Sequence, residues 1–347
     1  MRVAFVYPNP REGLTRAVAA GEAPDTGLLG QNHLCELGLD AFVHDSALRR
    51  THVVRGTAHR LSWLGRELTL PWELRTADVI VTPLSTLLPL VARLTRGPRV
   101  LLLSYGTIAL SNRAGGARRT LVGASLRSAR DVVAISSAGR SQILERYTVD
   151  PDRVHFVPFG VDADFWQPAE AATDGHILAV GRDLARDYAT FAEALTGLPV
   201  RGVIVAKEEN LRGVTVPDNV DVRMRISTSE LRELYAGASC VVVPMVSDSD
   251  PRGTESSGNT ALLEAMACAR STVVSDRSSL NDYLHDDASI RVPPGDADAL
   301  RSAVMQLVAD PASAVAMGEA ARRHVELRYT TKRFAEQLAP IIRKVAA

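Results

Sequence analysis

The chain has 347 residues, 46% of them hydrophobic and 23% charged, which provides length and apolar content for two domains with substantial cores. Forty basic and forty acidic residues leave no net charge, so no global attraction to nucleic acid is expected. No apolar run approaches the roughly 20 residues that cross a bilayer, and the opening run Val3–Tyr7 is too short for a secretory leader, so a cytoplasmic location is expected.

Only Lys207, Lys332 and Lys344 are lysines, so 37 of the 40 basic residues are arginines. Alongside abundant alanine, this reads as a GC-rich coding sequence rather than as guanidinium chemistry. Divided at Gly160, the first half holds 20 basic and 13 acidic residues (net +7) and the second 20 and 27 (net −7). Arg113, Arg118, Arg119, Arg127 and Arg130 lie in or beside one helical stretch, either as a solvated basic face or as a weak membrane-surface contact. Cys35, Cys240 and Cys268 are odd in number and scattered, as expected of unpaired thiols in a reducing compartment.

In chain order, Val3–Tyr7 reads as a first strand ended by Pro8-Asn9-Pro10, and Leu28, Leu29, Leu34 and Leu37 have helical spacing. Gly38–His44 returns as a strand. Residues 49–75 have no clear assignment. Asp78–Thr82 and Arg99–Ser104 read as buried parallel strands with a helix over Leu84–Leu94 between them. Ala117–Arg130 reads as a helix, Asp131–Ile135 as a strand and Ser137–Tyr147 as a capped helix. This alternation predicts a doubly wound α/β domain.

A second series begins after His155-Phe-Val-Pro-Phe-Gly-Val-Asp162. Ile177–Arg182, Val203–Ala206, Val220–Arg223 and Cys240–Val246 read as strands. The last is followed by the polar loop Ser257-Gly-Asn-Thr260 and a helix over Ala261–Cys268. A strand, a small-residue loop and a helix form half of a βαβ unit, whose helix N-terminus offers unpaired N–H groups to an anion. Glu264, one turn into the helix, stands near enough to accept hydrogen bonds from a sugar diol. Capping residues and a solvated glutamate would be the plain structural alternative.

Leu263-Glu-Ala-Met-Ala267, Ser271–Asp276 and the Pro158-Phe-Gly-Val-Asp162 linker together resemble the retaining, family-4-like (group 1) glycosyltransferases of GT-B fold. The resemblance covers about half the chain. It implies two Rossmann-like doubly wound parallel-sheet domains facing a central cleft: an acceptor domain over 1–160, a nucleotide-sugar domain over 161–330, and a C-terminal helix over 331–347 returning to the first. It further implies a nucleotide-sugar donor, UDP-sugar ahead of GDP- or dTDP-sugar, with a small-molecule acceptor and no cofactor or metal.

By the same resemblance the donor is held by Arg182, Arg186, Lys207, Arg225, Ile226, Ser257, Gly258, Asn259, Thr260, Leu262 and Glu264. Tyr7, Asn9, Gly27, Ser104, Tyr105 and Gly106 are the acceptor-side candidates, and Arg182, Glu255 and Ser256 the catalytic ones. Three departures stand out. Ser256 occupies the place of a usual glutamate, with Glu255 one residue out of register. Arg186 stands near the place of a usual lysine. Ser104 begins a loop where relatives carry a histidine. No opposite-face base is therefore evident, as a retaining front-face reaction permits, and Glu22, Asp25 and His33 are the reserve candidates. A UDP-sugar epimerase, a phosphorylase and a non-catalytic sugar-nucleotide-binding protein are the alternatives on this fold.

Overall fold

The computed structural model describes residues 1–45, 57–112, 116–168 and 175–347. Arg113, and the side chain of Arg118, lie outside the described residues. The chain divides into two units: 1–21, 25–159 and 331–347 form the first, and 22–24 with 160–330 the second.

In the first unit, β1 (Arg2–Phe5), β2 (Asp40–Val43), β3 (Val79–Thr82), β4 (Arg99–Ser104), β5 (Asp131–Ala134) and β6 (Val154–Phe156) form one parallel sheet in the order β2-β1-β3-β4-β5-β6. The connecting helices are α1 (Glu12–Ala19), α2 (Thr57–Glu73), α3 (Leu88–Leu94), α4 (Thr107–Asn112), α5 (Gly116–Ser128) and α6 (Ser137–Arg146). Helices cover both faces of the central strands, so β3 (VIVT) and β5 (DVVA) are buried at every position and read as mostly apolar runs. Ile80 and Val100 pack with Leu70, Leu74 and Leu88, while Leu102, Val132 and Val154 pack with Val122, Leu126 and Ile143.

Two expectations are corrected here. The helical spacing of Leu28–Leu37 does not make an α-helix: Gly30 has φ 74°, and only short 3₁₀ turns form at Asp25–Leu28 and Gln31–His33. The helix after β1 is instead α1, whose first amides, Arg11 and Glu12, donate to Asp45 Oδ2 at 2.7 and 2.8 Å. The helix expected from Leu84 begins at Leu88 because the buried Glu67 carboxylate accepts from the Thr86 and Leu87 amides, holding the preceding turn open. The unassigned stretch contains α2, which delivers Glu67 to that position.

In the second unit, β7 (His176–Val180), β8 (Gly202–Val205), β9 (Val220–Arg223), β10 (Ala238–Val243), β11 (Thr272–Ser275) and β12 (Ser289–Val292) are again all parallel, in the order β12-β11-β10-β7-β8-β9. Its helices are α7 (Tyr188–Leu195), α8 (Thr228–Gly237), α9 (Asn259–Ala267), α10 (Ala297–Ala309) and α11 (Pro311–Arg328). The chain then re-enters the first unit as α12 (Thr331–Ala346), whose apolar face buries Phe334, Leu338, Ile342 and Val345. At the joint, the Val161 amide donates to the Tyr329 carbonyl at 2.8 Å, so the outgoing and returning chains run side by side. Ser289-Ile-Arg-Val292 carries little sequence signal as a strand, being a half-polar edge that pairs only with β11. Among the described residues no helix is long and apolar enough to cross a membrane.

Candidate active site

In the second sheet the strand order reverses between β7 and β10, and the loops leaving these two strands meet at their carboxyl ends. A ligand crevice is expected there in an open α/β sheet. The two loops are joined through their backbones. The Val246 amide donates to Ala185 O at 2.9 Å, the Asp187 amide to Pro244 O at 3.0 Å, and Arg186 and Met245 form an antiparallel bridge.

Arg186 sits beneath this joint, 6% exposed. Its Nε donates to Asp183 Oδ2 at 2.9 Å, and its Nη1 contacts Met245 Sδ at 3.4 Å. The guanidinium lies directly over Gly181, where a Cβ would collide with it. Arg182, by contrast, is exposed and turned outward from the same loop. The two arginines thus divide the work, one fastening the loop and the other available to solvent or ligand.

From β10 the chain runs through a tight polar loop into α9. Ser257 Oγ accepts from the Thr254 amide at 3.1 Å, and the Ser256 amide donates to Thr254 Oγ1 at 3.2 Å. Ser256 Oγ is also within 3.2 Å of Thr254 Oγ1, so its side chain faces the loop's own hydroxyls. Glu255 is buried. Gly258, at φ 96°, turns the chain into the helix with Leu280 and Met245 packed where a side chain would go.

Unlike α6, α7, α8, α10 and α11, which begin on a capping Ser or Asp side chain, α9 has no side-chain cap. Its first intrahelical bond is from Leu262 N to Gly258 O, at 3.1 Å. Asn259, the first helical residue, is fully buried, and neither its side-chain oxygen nor its nitrogen has a hydrogen-bond partner among the described residues. An uncapped helix N-terminus beside an unsatisfied buried amide suits an anion rich in acceptor oxygens.

Glu264 follows on the same helix. It is 9% exposed and accepts from the Tyr235 hydroxyl at 3.0 Å. Burial pushes its carboxyl up to about 7, although the Tyr235 hydrogen bond and the Arg186 charge pull the other way. A carboxylate held so close to neutrality is poised to accept from a ligand diol when that diol supplies the missing solvation.

Arg277, two residues after the end of β11, was not singled out by sequence. It is 4% exposed and donates through Nη1 to the carbonyls of Val246 and Ser247, at 2.6 and 2.9 Å, with Asp248 Oδ1 at 3.5 Å from Nε. A Cβ on Gly253 would strike it, so Gly253 and Arg277 together hold the loop between β10 and α9. The available signal was an arginine just beyond a buried strand, but only the sheet order, with β11 beside β10, reveals which carbonyls it reaches.

Of the other donor candidates, Lys207, Arg225 and Ile226 follow β8 and β9, while Thr260 and Leu262 belong to α9 itself. Lys207 is exposed and pairs with Glu209 at 3.4 Å. Arg225 is exposed with φ 56°, Ile226 and Thr260 are half-buried, and Leu262 is a core residue of α9.

Of the acceptor-side candidates, all in the first unit, Tyr7 is fully buried and donates to Leu28 O at 2.5 Å, while Asn9 is exposed. Ser104 is buried at the end of β4, and Gly27, Tyr105 and Gly106 are half-buried, with the Tyr105 ring 5.5 Å from that of Phe159. Of the reserve bases, Asp25 and His33 are bonded to each other at 2.7 Å, with Thr331 and Asn32 also on Asp25 Oδ2, and Glu22 is exposed. Although burial pulls the other way, the hydrogen bonds from His33, Asn32 and Thr331 lower the Asp25 carboxyl, and the bond to Asp25 raises the His33 imidazole, which favours an ion pair.

The profile of the family described as glycosyl transferases group 1 matches residues 176–310, the stretch that contains this site. Alpha-maltose-1-phosphate synthase of Mycobacterium tuberculosis is 31% identical over 259 residues, covering 63% of this chain and 64% of that protein. The chain thus spans less than two thirds of the length of the curated relatives it matches. Among solved structures, sucrose-phosphate synthase from Thermosynechococcus elongatus superposes with a TM-score of 0.72 at 18% identity over 99% of both chains. Anabaena HepE, in complex with UDP and glucose, superposes with a TM-score of 0.70 at 12% identity, again over 99% of both. The fold is GT-B, and the match to the glycosyl transferases group 1 family lies over residues 176–310 of it.

Proposed function

We propose that this chain acts as a group 1 glycosyl transferase, moving a sugar from a nucleoside-diphosphate donor, a UDP-sugar first, to a small-molecule acceptor. The observation that carries this reading is the pairing of the uncapped N-terminus of α9 with Glu264 on the same helix. The diphosphate would lie on the amides of the first turn and the Asn259 side chain, where the partial positive charge of the helix favours it. The ribose diol would donate to Glu264. Arg182, exposed on the loop after β7, would meet the phosphate whose charge grows as the glycosidic bond breaks.

On this account the new bond keeps the donor's anomeric configuration, with the leaving phosphate taking the acceptor proton. A sugar or sugar phosphate is the acceptor class we favour, in keeping with the names of alpha-maltose-1-phosphate synthase and sucrose-phosphate synthase. The experiment is transfer and donor hydrolysis by purified protein, read by mass spectrometry across a panel of nucleotide sugars and of sugars and sugar phosphates. Formation of a glycosylated product together with free nucleoside diphosphate is the expected result. Absence of nucleotide binding across the panel would end the reading.

A second reading, binding of a sugar nucleotide without transfer, is favoured by Ser256, whose hydroxyl is turned onto Thr254 at the position where the family carries a glutamate. Binding of UDP-sugars with neither hydrolysis nor transfer would select it.

A further inference from the structure

A coding bias toward arginine scatters guanidinium groups without regard to position, yet six of them line one cavity of about 440 Å³ in the first unit. They are Arg93, Arg96, Arg99, Arg127, Arg130 and Arg153, and no acidic side chain lines the cavity with them. The volume falls within the range of small-molecule sites, about 300–1,000 Å³. Pro89, Ala92, Pro98 and Val100 contribute apolar lining. Arg99 opens β4 and Arg130 immediately precedes β5, so the cavity lies at the amino-terminal edge of its sheet, away from the strand ends that carry the acceptor-side candidates.

Part of this charge has a structural use. α3 and α5 both end here, and cations are favoured at helix C-termini. Arg153 donates to the carbonyls of Arg127 (3.4 Å), Arg130 (2.8 Å) and Ala129, and Arg99 donates to the carbonyl of Ala346. Two helix ends supply roughly half a negative charge each, about one unit against six positive ones. Arg93, Arg96, Arg127 and Arg130 are exposed and form no ion pair among the described residues. Holding this excess in one place costs self-repulsion that an anion with several oxygens would relieve. Guanidinium groups grip such oxygens in a planar, bidentate fashion.

We infer that this cavity is a second ligand site, separate from the donor site of the second unit, and that it takes a ligand bearing two or more phosphate groups. A soluble polyphosphorylated metabolite and a cluster of phosphorylated lipid headgroups share this chemistry, and Leu94, exposed beside Arg93, is compatible with either.

The test uses the full chain with tripolyphosphate as the soluble probe, in saturating UDP so that the donor site is already filled. Affinity is read by titration calorimetry and by the shift in melting temperature. The wild type is compared with Arg96→Glu/Arg130→Glu and with Arg96→Lys/Arg130→Lys, all changes at exposed positions. The glutamate pair should weaken tripolyphosphate binding at least about tenfold and the lysine pair much less, since charge is retained while the bidentate fork is lost. Wild-type affinity should also fall steeply with added salt. In parallel, the three proteins are pelleted with phosphatidylglycerol vesicles and with phosphatidylcholine vesicles. Binding to phosphatidylglycerol alone, abolished by the glutamate pair and without tripolyphosphate binding, identifies the headgroup as the source and supports the site. Binding of neither probe, or equal binding by the wild type and the glutamate pair, overturns it.

Discussion

Tyr235, on α8, donates its hydroxyl to Glu264 on α9 at 3.0 Å, and burial of the pair leaves the Glu264 carboxyl titrating at about 7 rather than at its ordinary 4.5. The native state therefore holds a proton that the unfolded chain has released. Between about pH 4.5 and 7 the unfolded chain binds fewer protons than the native one, so the stability of the unliganded protein falls as pH rises through this window. The total loss is on the order of 3 kcal/mol. Denaturant titrations in this range should show the decline in the wild type and a flatter curve in Glu264→Gln. A wild-type curve that rises through the window would refute the assignment.

The same residue should act oppositely on ligand binding. If the ribose diol donates to the ionised carboxylate, UDP affinity increases as pH rises through about 7, with a proton released on binding below that value. Glu264→Gln should cost roughly 1–3 kcal/mol of UDP affinity and abolish the pH dependence, because charge-assisted bonds become neutral ones. Calorimetry in buffers of different ionisation enthalpy measures both the affinity and the proton.

Arg186 and Gly181 make a mechanical prediction. The guanidinium occupies the space above Gly181, so Gly181→Ala must displace Arg186 from Asp183 and Met245. A cost of about 1–3 kcal/mol in stability is expected from overpacking. Loss of UDP affinity should accompany it, because the loops after β7 and β10 are joined at Arg186. Denaturation midpoints and UDP titrations on the same preparation check the two effects, and a variant with unchanged stability would contradict the packing.

Arg182 offers a kinetic contrast. It is exposed on the loop whose neighbouring Arg186 is buried and fastened. If it stabilises phosphate charge as the bond breaks, Arg182→Ala lowers kcat more than it weakens donor binding. Steady-state kinetics with a donor titration separate the two. An effect confined to KM would assign Arg182 to ground-state binding.

Product stereochemistry tests the front-face account. Asp25 and His33 are engaged with each other and with Thr331, Glu22 is exposed, and on the proposed account the leaving phosphate rather than any of the three takes the acceptor proton. Proton NMR of the product before mutarotation should show the donor's anomeric configuration, and an inverted product would rule the account out.

Much of the architecture was legible because parallel strands covered on both faces must be apolar almost throughout, as in Val79–Thr82, Arg99–Ser104 and Cys240–Val243. Glu264 was legible for a related reason, since strand, small-residue loop and helix are contiguous in the chain and carry a compact motif. The N-terminal helix was misplaced because the leucine spacing at 28–37 ignores Gly30, whose φ of 74° interrupts any helix there. β12 was missed because an edge strand with one neighbour alternates polar and apolar residues over only four positions.

What the linear order determined by itself was most of the strands, the glycine turn into α9 and the carboxylate one turn beyond it, because each depends on residues close together in the chain. Tertiary structure alone decided that Arg186 rather than Arg182 is the buried cation, since this requires β7 and β10 to be neighbours across 60 residues of chain. It alone placed Arg277 against the carbonyls of Val246 and Ser247, and Tyr235 against Glu264, 29 positions away. It also gathered six arginines, from Arg93 to Arg153, around one cavity. In each case the pairing follows from sheet order, and sheet order is set by how the helices cover the two faces, a global packing solution that no local stretch encodes.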